Sequence, residues 1–424
     1  MKACIIGLGK IGLPLAVQFA KNGLEVIGVD INAHTVELIN SGKEPFPGEE
    51  NLEKFLKEVL ESNKFSATTN FGEAIKSANA VVVLLPLIVD TDSNPDFTSI
   101  DLATKEIAKN LQKGMLVSYE TTLPIGTTRN RFGKILEELS GLKIGKDFNL
   151  VFSPERVSSG RIFEDLKNYP KIVGGVTPAC TQKGVELYNQ ALTFNPRTDL
   201  EKPNGVWPQV SSEASEFVKL AETTYRDVNI GLANQFAIHA DELSLDIQEI
   251  IAAANSQPYS HIHTPGIAVG GHCIPVYPHF YLSTDENATI VNAARKQNAE
   301  MPDYYLNKIK AVSGTLRGLK ILILGLAYRP NVKEHAFSGA LKLAELIRNE
   351  GGEALIQDPL YSTSEIEALK LKPYENQLDI DYVILHTGHE SFQHFDFSKL
   401  NQIKGIVDGR NFYRSVDRNI SVLK

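Results

Sequence analysis

Five short apolar runs, KACIIG, LEVIGV, AVVVLLP, MLVSYE and NLVFSP, recur through the first half of the chain. Each is rich in β-branched residues and lacks the strict alternation of a half-exposed strand, which predicts strands buried on both faces of a parallel sheet. Longer segments with helical apolar spacing separate them, so the pattern predicts a doubly wound α/β domain. After SGTLRG a second series, LKILILG, EALIQD, DYVILHTG and KGIVDGRN, repeats the arrangement. The C-terminal third therefore predicts a second α/β domain.

Between the two, over residues 211–254, Ala214, Val218, Ala221, Tyr225, Val228, Leu232, Phe236 and Leu243 follow each other at mostly three- and four-residue steps, the period of one helix face. One long connecting helix is expected. About 30 residues of helix span roughly 45 Å, more than a small domain covers, and the surplus apolar face predicts a homodimer formed through this helix. NPRTDLEKPNGVWPQ, residues 195–209, is rich in turn formers and reads as a linker. The expected domains are 1–200, 201–312 and 313–424.

With 42% hydrophobic and 22% charged residues among 424, the chain has globular composition and material for several cores. A net charge of −8 argues against nucleic acid or an anionic membrane as partner, and leaves room for a local basic pocket that holds a small anion. MKACIIGLGKIG runs directly into a strand and a glycine turn, without the pattern of a signal sequence. No apolar run approaches the roughly 18 residues of a membrane span. Three cysteines without C-x-x-C spacing predict reduced thiols and a cytoplasmic location.

CIIGLGKIG places Gly7, Gly9 and Gly12 in G-x-G-x-x-G spacing between a strand and a helix, with Lys10 and Ile11 inside the loop. Such glycines allow a tight turn and let a pyrophosphate approach the helix N-terminus, where free N–H groups favour anions. The triplet alone is a weak signal. LEVIGVD strengthens it by ending a second strand at Asp30, placed to accept hydrogen bonds from an adenine ribose. A carboxylate there repels a 2′-phosphate and no Arg or Lys follows closely, so NAD is expected rather than NADP.

Cys273 lies in GIAVGGHCIPVYPHFY, residues 266–281, behind two glycines and ahead of two prolines. Gly and Pro disfavour a helix interior or a central strand, so a loop thiol is expected. Three readings stay open on these residues alone. A thiol can add to an aldehyde and carry a thioester after hydride loss; His261, His263, His272, His279 and Cys273 offer zinc-type ligands, without a common ligand spacing; and a single cysteine is often an inert buried filler.

GLGKIG, ETTLPIGTTR, SPERV, KLAETTYRDVNIGLANQF, GGHCIP, ILGLAYRPNV and DGRN occur in this order across almost the whole chain. In that set the sequence resembles the UDP-glucose/GDP-mannose dehydrogenase family. The resemblance implies two Rossmann-type domains joined by a long central helix, and oxidation of the C6 alcohol of a nucleotide sugar to a carboxylate with two NAD. On that model Cys273 is the nucleophile that carries a thiohemiacetal and then a thioester. Lys219 stabilises developing oxyanion charge or relays a proton, Glu155 helps water hydrolyse the thioester, and Thr122 lies near the nicotinamide and the reactive carbon. Glu120 and Thr121 read only as a strand end. Glu155, Lys219, Tyr259, Gly271, Arg329 and Arg410 form the implied substrate set, and no metal is implied.

The chain departs from the family pattern at Thr223, where Asn is usual, and at Tyr277, where an Asp is usual four residues after the cysteine. Ala336, Phe337 and Ser338 replace an arginine followed by Glu-Ser, and Tyr259 replaces an arginine that often reaches a sugar in the partner subunit. SPERV and RDVNI resemble members acting on UDP-N-acetylhexosamines, implying UDP-N-acetylmannosamine or UDP-N-acetylglucosamine as substrate. UDP-glucose is the alternative. A non-catalytic nucleotide-sugar-binding protein on the same fold is a second reading; a single-step hydroxyacid dehydrogenase, the third, leaves Cys273 and the second α/β domain without a role.

Overall fold

The apolar runs form strands because each can bury both faces only inside a covered sheet. The computed structural model describes residues 1–90, 92–401, 403–413 and 421–423. Its contacts divide the chain into two compact units, Met1–Glu222 with His279–Thr284, and Thr223–Pro278 with Asp285–Lys424. The first unit contains β1 (Lys2–Ile6), β2 (Glu25–Val29), β3 (Phe65–Thr68), β4 (Ala80–Val83), β5 (Ile88–Val89), β6 (Pro95–Asp96), β7 (Leu116–Tyr119), β8 (Asn149–Phe152), β9 (Lys171–Gly175) and β10 (Val206–Gln209). Apart from the β5-β6 pair they form one sheet, ordered β10-β9-β8-β7-β4-β1-β2-β3. The five strands read from the sequence run mutually parallel in it; β8 and β9 are antiparallel.

Helix Gly12–Lys21 is apolar nearly all round and lies in the first unit's core, with Leu13, Val17 and Phe19 fully buried beside Ile5 and Val82. Each such side chain contributes about 1.5–3 kcal/mol relative to exposure. The linker expectation needs correction. Its last residues, Val206–Gln209, pair in parallel with β9 as an edge strand, a position where the missing donor of Pro208 is tolerated.

In the second unit β11 (Lys320–Leu324), β12 (Glu353–Gln357), β13 (Lys372–Pro373), β14 (Tyr382–Leu385), β15 (Gly405–Asp408) and β16 (Ser421–Leu423) form a parallel sheet ordered β13-β12-β11-β14-β15-β16. Both large sheets reverse their winding beside the first strand of the unit, between β1 and β4 and between β11 and β14. That is where open α/β sheets place ligands.

The segment expected to be one helix over 211–254 is two. The long helix Ser212–Glu242 stops before Ser244, which takes a left-handed φ of 57°, and Asp246 caps a separate helix, Ile247–Ala254. The stripe chosen from its period also needs correction. Tyr225, Leu232, Phe236 and Leu243 are exposed, whereas Ser212, Ser215, Glu216, Lys219, Thr223, Thr224, Asp227 and Asn234 are buried. Hydrogen bonds hold that inner face together with the apolar burial of Leu220, Ile230, Ala233, Ala237 and Ala240.

In the second unit this is visible in full. Arg295, on helix Thr289–Ser313, places Nε 3.2 Å from the buried carboxylate of Asp227 and donates through Nη1 to the Ile274 carbonyl at 3.1 Å. Asn298 donates to Asp227 Oδ1 at 2.9 Å, Asn234 donates to Asn298 Oδ1 at 2.9 Å, and Asn234 in turn accepts from Gly266 N at 2.9 Å. The loop carrying Cys273 is thus tied to two helices near both of its ends. Replacing one partner of such a buried pair strands the other charge. Arg295→Met is expected to lower the stability measured by urea unfolding by about 3–5 kcal/mol; a loss under about 1 kcal/mol would show that Asp227 finds another partner.

Candidate functional site

The glycine loop after β1 sits at the reversal of the first sheet. Gly7 has φ +94°, and a Cβ there would meet the Leu84 carbonyl oxygen at 2.9 Å; a Cβ on Gly12 would lie 1.8 Å from the Gly7 oxygen. Folding itself demands both. At Gly9 a Cβ would meet nothing within 4 Å, so no neighbour within the chain requires a glycine there. Ile11 caps helix Gly12–Lys21 without any side-chain hydrogen bond, which leaves the helix start without a side-chain acceptor, as a phosphate site requires. Lys10 is exposed and Ile11 half-buried. Asp30, at the end of β2, accepts from Leu8 N at 3.0 Å and from Asn32 N at 2.9 Å.

The equivalent aspartate of the second sheet is spent. Asp358, after β12, is buried, accepts from Leu326 N, Ala327 N and Leu360 N at 2.7–2.8 Å, and lies 3.1 Å from His389 Nε2. The half-buried Asp30, with one amide bond per oxygen, keeps acceptor capacity for a ribose; Asp358 is buried and its Oδ2 is taken by two amides and His389. The first sheet is the better dinucleotide platform.

Thr122, Glu155 and Lys219 share the C-terminal edge of the same sheet. Thr122 is buried in the loop after β7, and this loop is fixed by Glu216 of the long helix, whose carboxylate accepts from Gly126 N at 2.5 Å and Thr128 N at 2.8 Å. Burial pushes the Glu216 carboxyl up to about 7 against these hydrogen bonds. Ser215 donates to the Phe152 carbonyl at 3.1 Å, joining the helix to β8. Lys219 follows one turn later and is buried.

Glu155 is not the surface carboxylate that a loop after a strand suggests. Its Oε1 accepts from Arg156 N at 2.7 Å and Val157 N at 3.2 Å, and its Oε2 lies 3.0 Å from Lys171 Nζ. The same ammonium reaches Glu120 Oε2 at 2.6 Å, and Tyr188 donates its hydroxyl to Glu120 Oε1 at 2.6 Å. Glu120, read from the sequence as a mere strand end, is a buried charged residue. Burial pushes its carboxyl up to about 7, opposed by Lys171 and aided by Glu155. Burial also pushes Glu155 up, but the Lys171 ammonium and the Arg156 amide hold it below the ordinary carboxylate value.

The second unit holds Tyr259, Gly271, Cys273, Arg329 and Arg410. A Cβ on Gly266 would lie 2.6 Å from Arg410 Nη1, and one on Gly270 would lie 2.5 Å from Tyr328 Cβ. Gly271, at φ +93°, donates to the Ala336 carbonyl at 2.8 Å. The glycines therefore let this loop press against both arginine-bearing turns, directly on Arg410 and beside Arg329. Arg410 donates through Nε to the His386 carbonyl at 3.2 Å, and burial holds its proton affinity below the ordinary arginine value.

Cys273 is exposed, whereas Cys4 and Cys180 are buried; burial pushes the Cys4 thiol up to about 12. The inert-filler reading fits Cys4 and fails for Cys273. Its carbonyl accepts from Tyr277 N at 2.8 Å, so the thiol precedes the short helix Tyr277–Leu282. His272 lies 3.5 Å from Glu334. Among the described residues no group of three or more His, Cys, Asp or Glu could hold a metal ion. Tyr259 is 92% exposed in its loop.

Three family models match the chain: the NAD binding domain of the UDP-glucose/GDP-mannose dehydrogenase family over residues 1–192, its central domain over 213–300 and its UDP binding domain over 322–415. UDP-N-acetyl-D-mannosamine dehydrogenase of Pyrococcus horikoshii is 34% identical, covering 98% of this chain and 96% of that protein. NDP-N-acetyl-D-galactosaminuronic acid dehydrogenase of Ralstonia solanacearum is 31% identical over 96% and 95%. The solved structure of the Pyrococcus horikoshii UDP-D-ManNAc dehydrogenase superposes with a TM-score of 0.86 at 32% identity, covering 99% of this chain and 98% of that one.

The open space at Gly9 generates a test. Gly9→Val is expected to leave the thermal unfolding midpoint of the free protein nearly unchanged while weakening NAD binding, measured by titration calorimetry, by about tenfold or more, or ~1.4 kcal/mol. Unchanged NAD affinity with a folded variant would remove the loop from the cofactor site.

Proposed function

The chain belongs to the UDP-glucose/GDP-mannose dehydrogenase family, whose members are NAD-dependent nucleotide-sugar dehydrogenases, and from that premise we propose that it oxidises C6 of UDP-N-acetylmannosamine to the carboxylate. Similarity over nearly the full length to UDP-N-acetyl-D-mannosamine dehydrogenases supports this substrate; UDP-N-acetylglucosamine is the next choice and UDP-glucose the third. The reading divides the chain into an NAD-binding part (1–200), a central part (201–312) and a UDP-sugar-binding part (313–424).

The observation that carries the mechanism is an exposed thiol on a loop whose glycines the two arginine turns require. Gly7, Gly9, Lys10, Ile11, Gly12, Asp30 and Thr122 would hold the NAD, whose nicotinamide supplies the hydride acceptor. Lys219 holds the negative charge that develops on the substrate oxygen as the alcohol loses its proton. The Cys273 thiolate adds to the aldehyde carbon to give a thiohemiacetal, and loss of hydride from that carbon leaves a thioester. Glu155, held ionised by Lys171, takes a proton from the attacking water; the C–S bond breaks, releasing the acid and the thiolate.

Arg329 and Arg410 supply charge-assisted bonds for the diphosphate, with Gly271 and Tyr259 completing the substrate set. Exposed Tyr225, Leu232, Phe236 and Leu243 on the long helix support a homodimer through that face. No helix among the described residues is long and apolar enough to cross a membrane, and we assign a cytoplasmic location.

Cys273→Ser tests the nucleophile. With UDP-N-acetylmannosamine and NAD, acid formation followed by mass spectrometry is expected to fall about 100-fold or more, or ~2.7 kcal/mol, because an oxygen ester forms and hydrolyses more slowly. Full turnover by this variant would overturn the assignment.

A further inference from the structure

Behind Glu155 the first unit buries a chain of ionisable groups, of which the mechanism above uses only the Lys171 ammonium. Lys171 Nζ, 4% exposed, stands 3.0 Å from Glu155 Oε2 and 2.6 Å from Glu120 Oε2. Glu120, 1% exposed, accepts from the Tyr188 hydroxyl at 2.6 Å, and that hydroxyl lies 2.7 Å from Ser118 Oγ. The groups come from four places in the fold: Ser118 from β7 and Glu120 immediately after it, Glu155 from the loop after β8, Lys171 from β9, and Tyr188 from helix Pro178–Ala191. One ammonium between two carboxylates leaves a net charge of −1 in a nearly dry site.

Burying such a charge costs more than its Coulomb energy returns unless every lone pair is satisfied, and apolar residues would fill the space at lower cost. The placement has a chemical consequence instead. Glu155 must be ionised to take a proton from water, yet burial opposes its charge; the Lys171 ammonium opposes burial. Glu120 competes for that ammonium and adds a like charge. When Glu120 is neutral, Lys171 serves Glu155 alone and Glu155 is a weaker base. When Glu120 is ionised, the ammonium is shared and the basicity of Glu155 rises.

We propose that Glu120 and Lys171 are positioning residues for the hydrolytic step, which set the proton affinity of Glu155 through their shared hydrogen bonds. The inference rests on the reading of Glu155 as the base. Because burial pushes the Glu120 carboxyl up to about 7, with Glu155 adding to the rise and Lys171 opposing it, the control operates near neutral pH. Hydrolysis should therefore step upward as pH rises through about 7, the region where Glu120 ionises, above the separate acid limb where Glu155 itself protonates.

The test is thioester decay on Cys273 after one turnover with UDP-N-acetylmannosamine and NAD, followed by quench and intact-mass measurement across pH. Glu120→Gln should abolish the step near neutral pH and leave the acid limb in place, because Glu120 is already neutral there, while Lys171→Met should move the acid limb up by about one unit or more, and Lys171→Arg should restore the wild-type profile. A structural role would lower the rates of all variants without removing the step or moving the acid limb, and that result overturns the proposal. If Glu155→Gln leaves thioester decay unchanged, the assignment of Glu155 itself falls; if it stalls decay while Glu120→Gln keeps the wild-type profile, this inference alone falls. An infrared titration of the free protein is independent of turnover. Burial also pushes the Glu216 carboxyl up to about 7, and it keeps its own protonated-carboxyl band; a second component that disappears as pH rises through about 7 and is lost in Glu120→Gln supports the proposal, and a signal unchanged by that substitution contradicts it.

Discussion

A lysine held between two carboxylates is the interaction on which the C-terminal edge of the first sheet depends. Lys171 joins the end of β7 to the loop after β8 through Glu120 and Glu155, and so fixes the C-terminal edge of the sheet where Thr122 and Glu155 emerge. Were Lys171 removed, two buried carboxylates would face one another without a cation, and one of them would have to take up a proton. The carboxylate assigned to water activation would then lose the cation that keeps it ionised and would hold its proton to higher pH. Geometry and charge at Glu155 are thus one constraint.

The long helix obeys a second constraint, which inverts the usual pattern. Its inner face carries Glu216, Lys219, Asp227 and Asn234 among the apolar Leu220, Ile230, Ala233 and Ala237, while Tyr225, Leu232 and Phe236 face outward. Buried polar groups of this kind demand partners with defined geometry, and several of those partners are backbone amides of the segments that carry Thr122 and Cys273. Gly126 and Thr128 bond to Glu216, and Gly266 bonds to Asn234. An apolar inner face would bury more surface favourably but would leave these loops without anchors. The outward aromatic and aliphatic residues are the counterpart of that choice, since a helix of 31 residues has two faces and only one is used inside the chain.

Much of this was legible in the sequence, for physical reasons that differ by residue. The nine apolar runs announced strands because a parallel strand must be apolar on both faces. Gly7 and Gly12 announced a turn, and the structure shows backbone contacts that admit nothing larger. The loop position of Cys273 followed from its Gly and Pro neighbours, and its exposure agrees. What escaped reading involves partners far apart in the chain: Glu120 and Lys171 are separated by 51 positions, and each borders an apolar strand where a charge looks like a boundary. The orientation of the long helix escaped because periodicity locates an apolar stripe without saying whether the chain's own core covers it. The edge strand Val206–Gln209 escaped because four residues with a proline carry no pattern.

The central claim is a double oxidation at one carbon. The most direct measurement counts NADH formed per UDP-N-acetylmannosamine consumed, with the nucleotide product identified by mass spectrometry. Two NADH for each UDP-sugar acid is the predicted result. One NADH with an aldehyde as the end product, or none with this sugar, UDP-N-acetylglucosamine and UDP-glucose alike, would contradict it.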